Sequence, residues 1–590
     1  LQPHNPPSLA DALATLADAR NLPLVATGAV RCATPEQQKL ADVFSATRLN
    51  LSLDQAEPYL PAWRTFLRSN EEMLYLHRRH PEAVRNAAEL GRQFTFDFRI
   101  LEPGLPHYPV PNGHTEETWL RHLTYQGASE RYGSRTDFPR AWEQIDHELE
   151  IIEQLEFPGY FLIVKDIVDF CFRSGILCQG RGSAANSAVC YALSITAVDA
   201  VKHRMLFERF LSPQRTGAPD IDLDIEARER ERVIQYVYER YGRHNAAMVA
   251  NVITYRPKSA IRDAARAFGF PEGQVKLWSK RAGSSAPDSV LEVAQTLQKI
   301  PRHMGIHPGG MVLTRTPVSQ VCPVRWGAME GRTVLQWDKE DCADAGLVKF
   351  DLLGLGMLTA LRRSFDWLNT SGVEHNGRPL DLYNLPEDDP RVYDLLCNAD
   401  TVGVFQVESR AQMNTLPRLK PREFYDIVIE VALIRPGPIQ GKAVNPYLNR
   451  KNGKEKVTYL HPLMEDALKK TLGVPLFQEQ LMQIAVDVAG FTPGQADELR
   501  RAIGAKRSAE RMAALKPALF EGMSARGVSL EVQEQVFTQL QGFAEFGFPE
   551  SHAFSFAYLV YASAWLKVHY PEHFYASILA SQPMGFYSPY

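Results

Sequence analysis

Residues 218–230 read APDIDLDIEARER. Asp220, Asp222 and Asp224 occupy every second position, with Ile221, Leu223 and Ile225 between them. Strand side chains alternate faces, so the stretch predicts a β-strand with three carboxylates on one side and three aliphatic groups on the other. Same-face neighbours start about 6.6 Å apart, twice the strand rise. At an effective dielectric near 20 that separation costs roughly 2.5 kcal/mol per pair. A hard divalent cation such as Mg²⁺ takes carboxylate oxygens as ligands and would reverse the cost. Two such ions suit phosphoryl transfer. Asp220 and Asp224 start about 13 Å apart, so two of the three are expected ligands. Spacing leaves the pairs 220/222 and 222/224 both open. A solvated acidic edge strand is the competing reading.

Two neighbouring stretches favour chemistry. In GRGSAANS (180–187), Gly180 and Gly182 allow close backbone approach to a ligand, and Arg181 offers a bidentate phosphate donor. Ser183 is placed to cap a helix Ala184–Leu193, whose first N–H groups would attract anions. LVKFDLLGL (347–355) puts Lys349 and Asp351 on one face of an otherwise apolar strand. An acid in such a run is costly unless it binds something. Asp351 is therefore expected to be a third metal carboxylate, with Lys349 reaching toward phosphate. A buried Lys–Asp pair joining two elements is the alternative.

The chain has 590 residues, enough for two to four domains. Hydrophobic content of 45% and charged content of 23% fit an ordinary globular protein. No run of 18 or more apolar residues occurs. The first residues lack a basic segment leading into an apolar one, and the absent initiator Met suggests an internal fragment. Seven cysteines without a C-x-x-C pair point to reduced thiols and a cytoplasmic protein. A net charge of −4 neither suggests nor excludes a nucleic acid partner; basic residues would have to cluster locally. Long helical stretches around a few short strands make the fold class α+β. A strand is expected at Leu22–Ala26, a helix over 233–242 ended by Gly242, and a domain boundary in the proline-rich 101–113. His303 and His307 have a zinc-like spacing, but Pro308 and Gly309 interrupt any helix there.

GRGSAANSAVCYAL, PDIDLD, VKFDLLGL, RPGP, LFQEQLMQIA, LRRAIGAKR and GFPESHAFSFAYLVYASAWLKVHYP follow one another along the chain. Together they resemble motifs of the C-family bacterial DNA polymerases, the alpha subunits of DNA polymerase III, over nearly the whole length. The wording of FCFRSGILCQGRGSAANS, LFQEQLMQIAVDVAGFT and SILASQPMGFY is similar to the error-prone, ImuC-type translesion branch. The resemblance implies a right-hand polymerase with a palm related to the β-type nucleotidyltransferases. A partial PHP domain would occupy 1–99, the palm 100–251 and 307–357, a helical thumb 252–306, and large, mainly helical fingers 358–590. It makes Asp220, Asp222 and Asp351 the ligands of two Mg²⁺ ions, with Mn²⁺ a possible substitute, and leaves Asp224 outside. Gly180, Arg181, Gly182, Ser183 and Lys349 would hold the phosphates of an incoming dNTP. Arg500 and Arg501 would clamp its triphosphate, with Lys506 and Arg507 beside them and Arg435 in a lesser role. His552 would lie near the sugar. Arg256, Lys258 and Arg262 would contact the backbone of primer–template DNA, a salt-sensitive and sequence-independent interaction. A sliding clamp and translesion accessory proteins would bind through helix-hairpin-helix and OB modules expected beyond Tyr590. One departure stands out: ATGAVR (26–31) replaces an ATGDVH-like stretch, so Ala29 and Arg31 remove two candidate PHP metal ligands. A replicative alpha-subunit role, a metal-dependent nuclease and a non-catalytic DNA-binding scaffold are the competing functions.

Overall fold

A computed structural model describes residues 1–61, 64–95, 103–213, 218–280, 285–382, 384–434, 441–503, 508–543 and 547–583. The chain forms two compact units, Leu1–Glu102 with Ala250–Ile306, and Pro103–Val249 with His307–Tyr590. It is α+β, as composition and pattern predict. Among the described residues, no helix is long and apolar enough to cross a membrane.

The smaller unit is built on helices Gln38–Leu49, Pro257–Ala267 and Asp288–Leu297. Ala46, Ala260, Ala264 and Ala265 are fully buried there beside Val43, Val290 and Leu297. Small side chains at these positions let the helix backbones approach closely. The strand expected at Leu22–Ala26 does not form. Ala26 N–H bonds to the Ala83 carbonyl instead, so the apolar run packs as irregular extended chain.

Most of the sheet lies in the larger unit; residues 250–254 of its third strand and 301–306 of its fourth belong to the smaller one. The strands are β1 (Cys178–Arg181), β2 (Asp222–Glu226), β3 (Ala246–Thr254), β4 (Pro301–Leu313), β5 (Val324–Trp326), β6 (Thr333–Leu335) and β7 (Lys349–Leu355). They lie in the order β1-β2-β7-β4-β3-β6-β5. β2 runs parallel to β7 and antiparallel to β1, and β4 pairs antiparallel with β7. The helix Arg230–Tyr241 ends at Gly242, whose φ of +96° is open to glycine but strained for other residues. The helix Gly356–Thr370 follows β7 directly.

Helix Pro158–Arg173 buries most of its length. Its Tyr160 ring stacks on Phe350 of β7 with centroids 4.8 Å apart. Helix Glu550–His569 is buried nearly all round. It is tied to β1 where Gln179 Nε2 donates to the Ser555 carbonyl at 3.1 Å.

Candidate active site

The acid stretch enters the sheet at Asp222, two residues later than its alternation predicts, with Asp220 just before the strand. Parallel pairing sets Asp222 directly opposite Asp351, and antiparallel pairing sets it opposite Arg181. Asp220, Asp222 and Asp351 each present a carboxylate oxygen, and these oxygens lie within 4.8 Å of one another. The two segments the sequence singled out thus converge at one point of the sheet.

Tyr160 helps hold that point. Its fully buried hydroxyl accepts the Ile221 N–H at 3.0 Å, fixing the backbone between Asp220 and Asp222. The Lys349 ammonium bonds to Asp351 and lies 3.4 Å from Asp220. Burial alone would lower its pKa; the carboxylates of Asp220 and Asp351 more than offset that and leave it raised. The Lys–Asp pair considered as an alternative is therefore present, and it is part of the cluster. Gly310 of β4 lies opposite Asp351. A Cβ there would meet His307 Nδ1 at 2.9 Å and Lys349 Cδ at 3.2 Å, so glycine clears the path of the lysine. His307 sits in β4, not in a helix, and its Nδ1 accepts the Gly310 N–H at 2.7 Å.

The cluster fits a divalent cation. Asp351 Oδ1 is buried without a hydrogen-bond partner. Burial, then the charges of Asp220 and Asp351, push the Asp222 carboxyl up to about 7, against the pull of Arg181. A hard cation with oxygen ligands would satisfy the orphaned oxygen and remove the repulsion together. Asp224 differs. It is buried, burial pushes it up to about 6, and its neighbour is the Arg181 guanidinium at 3.5 Å.

The glycine turn behaves only partly as expected. Gly180 and Arg181 lie in β1, and Gly182 has φ +62° with Asp222 Oδ2 3.9 Å from its would-be Cβ. Ser183 does not cap a helix. Gly182–Asn186 is a 3-10 turn, and the helix Ala188–Ala192 is capped by Ser187. The N–H groups of Ala188 and Val189 are taken by the buried Glu148 carboxylate, at 2.9 and 3.0 Å. A carboxylate of the protein itself occupies the position assigned to phosphate, so that helix start is not an anion site here.

His552 lies between Phe548 and Phe556, with ring centroids 5.3 and 4.2 Å away. Burial, then the charges of Arg181 and Arg209, push it down to about 4. Arg500 and Arg501 both grip the buried Asp497, at 2.7 and 3.0 Å. Arg435, Lys506 and Arg507 lie outside the described residues. Arg256, Lys258 and Arg262 belong to the smaller unit, at the start and on the face of the helix Pro257–Ala267; the first two are exposed and Arg262 is half-buried.

Two residues escaped the sequence reading. Tyr160 carries no charge signal. Arg209, in LFERF, is nearly buried and pairs with Glu479 at 2.9 Å. A cation within an apolar run was the available clue for the second.

Residues 118–287 and 282–354 match the family model described as "Bacterial DNA polymerase III alpha NTPase domain". Residues 357–527 match "Bacterial DNA polymerase III alpha subunit finger domain". Among curated relatives, a Nocardia farcinica protein named "Error-prone DNA polymerase" is 57% identical over 98% of this chain and 51% of its own. A Mycobacterium tuberculosis protein of that name is 56% identical over 98% of this chain and 53% of its own. A third, from Cutibacterium acnes, is 53% identical over 98% and 52%. The chain spans about half the length of the curated relatives it matches.

Proposed function

The chain belongs to the bacterial DNA polymerase III alpha family, and from that premise we propose that it carries the catalytic core of an error-prone, template-directed DNA polymerase. One observation carries the reading: Asp222 paired with Asp351 across parallel strands, with Asp220 in reach of both. In this reading Asp220, Asp222 and Asp351 hold two Mg²⁺ ions. Bound there, the ions supply a lowered pKa for the primer 3′-hydroxyl and neutralisation of the leaving pyrophosphate.

The protein's own groups do the rest. Lys349 and Arg181 stand beside the carboxylates as donors for phosphate oxygens and exchange their present acid partners for the nucleotide. Gly182 keeps the backbone low beside Asp222. His552, held neutral by burial, packs near Arg181 where a nucleotide sugar would lie. Arg500 and Arg501 release Asp497 to reach the triphosphate. The larger unit supplies palm and fingers, and residues 252–306 a thumb. There Arg256, Lys258 and Arg262 touch primer–template phosphates. Residues 1–99 are the end of a PHP domain that has lost metal ligands at Ala29 and Arg31. In this reading the protein works in the cytoplasm on damaged templates, with a sliding clamp and translesion accessory proteins as partners. The name shared by the relatives supports the error-prone role.

Primer extension with Mg²⁺ tests the reading. The unaltered chain adds nucleotides, and Asp222→Asn slows addition about a thousandfold, roughly 4 kcal/mol of barrier. Extension across an abasic template position follows in the unaltered chain. Degradation of the primer without nucleotide dependence would replace the reading with a nuclease. DNA binding without incorporation would replace it with a scaffold.

A further inference from the structure

The chain is net acidic at −4. Yet one cavity of about 590 Å³ in the larger unit gathers six cations: Lys202, Arg204, Arg450, Lys451, Lys469 and Lys470. Only two carboxylates, Glu423 and Asp426, share its wall, so six positive charges against two negative leave +4. His203, also in the wall, is neutral, because burial and then the charge of Lys202 push it down to about 4. The aspartate cluster, the glycine turn, Lys349, Arg500, Arg501 and His552 contribute nothing to this lining.

Most of these cations are held loosely. Lys202 and Lys469 pair with Glu387 at 2.9 Å and Asp466 at 2.5 Å, acids that are 70% and 80% exposed. Such exposed pairs are weak and exchange readily. Lys470 donates to the His203 carbonyl at 3.0 Å and lies 5.7 Å from the Tyr425 ring centre. Among the described residues, neither Lys470 nor Arg204 has a carboxylate at ion-pair distance. Two are held firmly: Lys451 is locked to the buried Asp426, and Arg450 bonds to Glu455 at 3.0 Å and to the Leu472 carbonyl at 2.9 Å.

A second cavity of about 210 Å³ shares Lys202, His203, Glu423 and Tyr425 with the first. The rest of its wall is apolar and aromatic, from Leu382, Leu385, Phe424, Tyr558 and Tyr561. The carboxylates of Glu387 and Asp388 complete it. An aromatic-lined cavity with acceptors, adjoining a polycationic one, matches one molecule in two parts. The aromatic cavity stacks a base and accepts from its amino groups; the cationic one neutralises linked phosphates.

We propose that these two cavities form a second nucleotide site, apart from the aspartate cluster, that takes a nucleoside polyphosphate. Two adjoining chambers of these volumes suit a compact ligand, whereas a single-stranded DNA would need a continuous basic track.

Calorimetric titration of the chain with ATP in EDTA tests this, because chelation removes metal-assisted binding at the aspartates. Inorganic tripolyphosphate and a thymidine oligonucleotide serve as parallel probes. The expected result is one ATP per chain, at least tenfold tighter than tripolyphosphate. An Arg204→Ala/Lys470→Ala double variant weakens binding at least tenfold, the Lys470→Arg variant retains it, and Lys349→Ala leaves it unchanged. No ATP binding overturns the proposal, as do loss of binding in Lys349→Ala, tripolyphosphate binding as tightly as ATP, or binding of the oligonucleotide alone. Primer extension plays no part in the readout, so failure here leaves the polymerase reading standing.

Discussion

Glu148 and Asp351 are both buried carboxylates of the larger unit, and their surroundings differ in kind. Glu148 accepts from Ser187 Oγ, the N–H groups of Ala188 and Val189, and Gln144 Nε2, all between 2.7 and 3.0 Å. Asp351 has Lys349 on one oxygen and nothing bonded to the other, with two further acids close by. One carboxylate is satisfied by its own chain and serves the fold. The other keeps an unpartnered oxygen among acids, which supports the proposal that it is a metal ligand. Burial alone does not separate the two; a missing donor together with neighbouring acids able to share one ion does.

Four measurements sharpen or break that contrast. The largest effect is expected at Glu148. Glu148→Ala strands two buried backbone N–H groups and should cost about 3 kcal/mol in urea unfolding. An unchanged midpoint would mean that water replaces the carboxylate and that the contrast is false.

Glu430 extends the comparison to an acid with neither donors nor a metal site; both its oxygens are buried and unpartnered. Burial pushes it from 4.5 to about 8, so the fold favours the protonated form. Its contribution is complete below 4.5 and is lost as pH rises toward 8. Between pH 6 and 8 the unaltered chain should lose about 2 kcal/mol relative to Glu430→Gln. Parallel stability curves for the two would refute this.

Gly310→Ala tests the room around Lys349. Its methyl would press on His307 and on the lysine stem. Nucleotide addition should fall about tenfold, near 1.4 kcal/mol, with little change in melting. The smallest effect is expected at the cluster itself. In EDTA, Asp222→Asn removes one repelling charge and should raise stability by about 1 kcal/mol. A variant less stable than its parent would place Asp222 among the structural acids, beside Glu148.

Much of this was legible in the sequence, for identifiable reasons. A period of two exposed the acid strand, and an acid inside VKFDLLGL exposed its partner. Both signals are local, and each names a face as well as a residue. The start of β2 was misplaced because Asp220 continues the alternation without being paired in the ladder. Ser183 was misread because the true cap, Ser187, stands four residues on, inside the same GSAANS run. What selects it is Glu148, a residue far away in the chain. Tyr160 was invisible because its role depends on which backbone N–H its hydroxyl meets. Arg500 and Arg501 were singled out through the family resemblance; their grip on Asp497 was within reach, since that acid lies three and four positions earlier on one helix turn.

The ladder position of Asp222 against Asp351 also bears on how the protein matures. Lys349 and Asp220, which meet in the same cluster, stand 129 positions apart in the chain. Neither half of the cluster has its counterpart until β7 docks in the right register, and a slip of two residues would set Leu353 where Asp351 belongs. If the cluster holds an ion as proposed, its affinity there is a gauge of correct strand docking. Followed during refolding, it would time the arrival of the last ligand and flag chains trapped out of register.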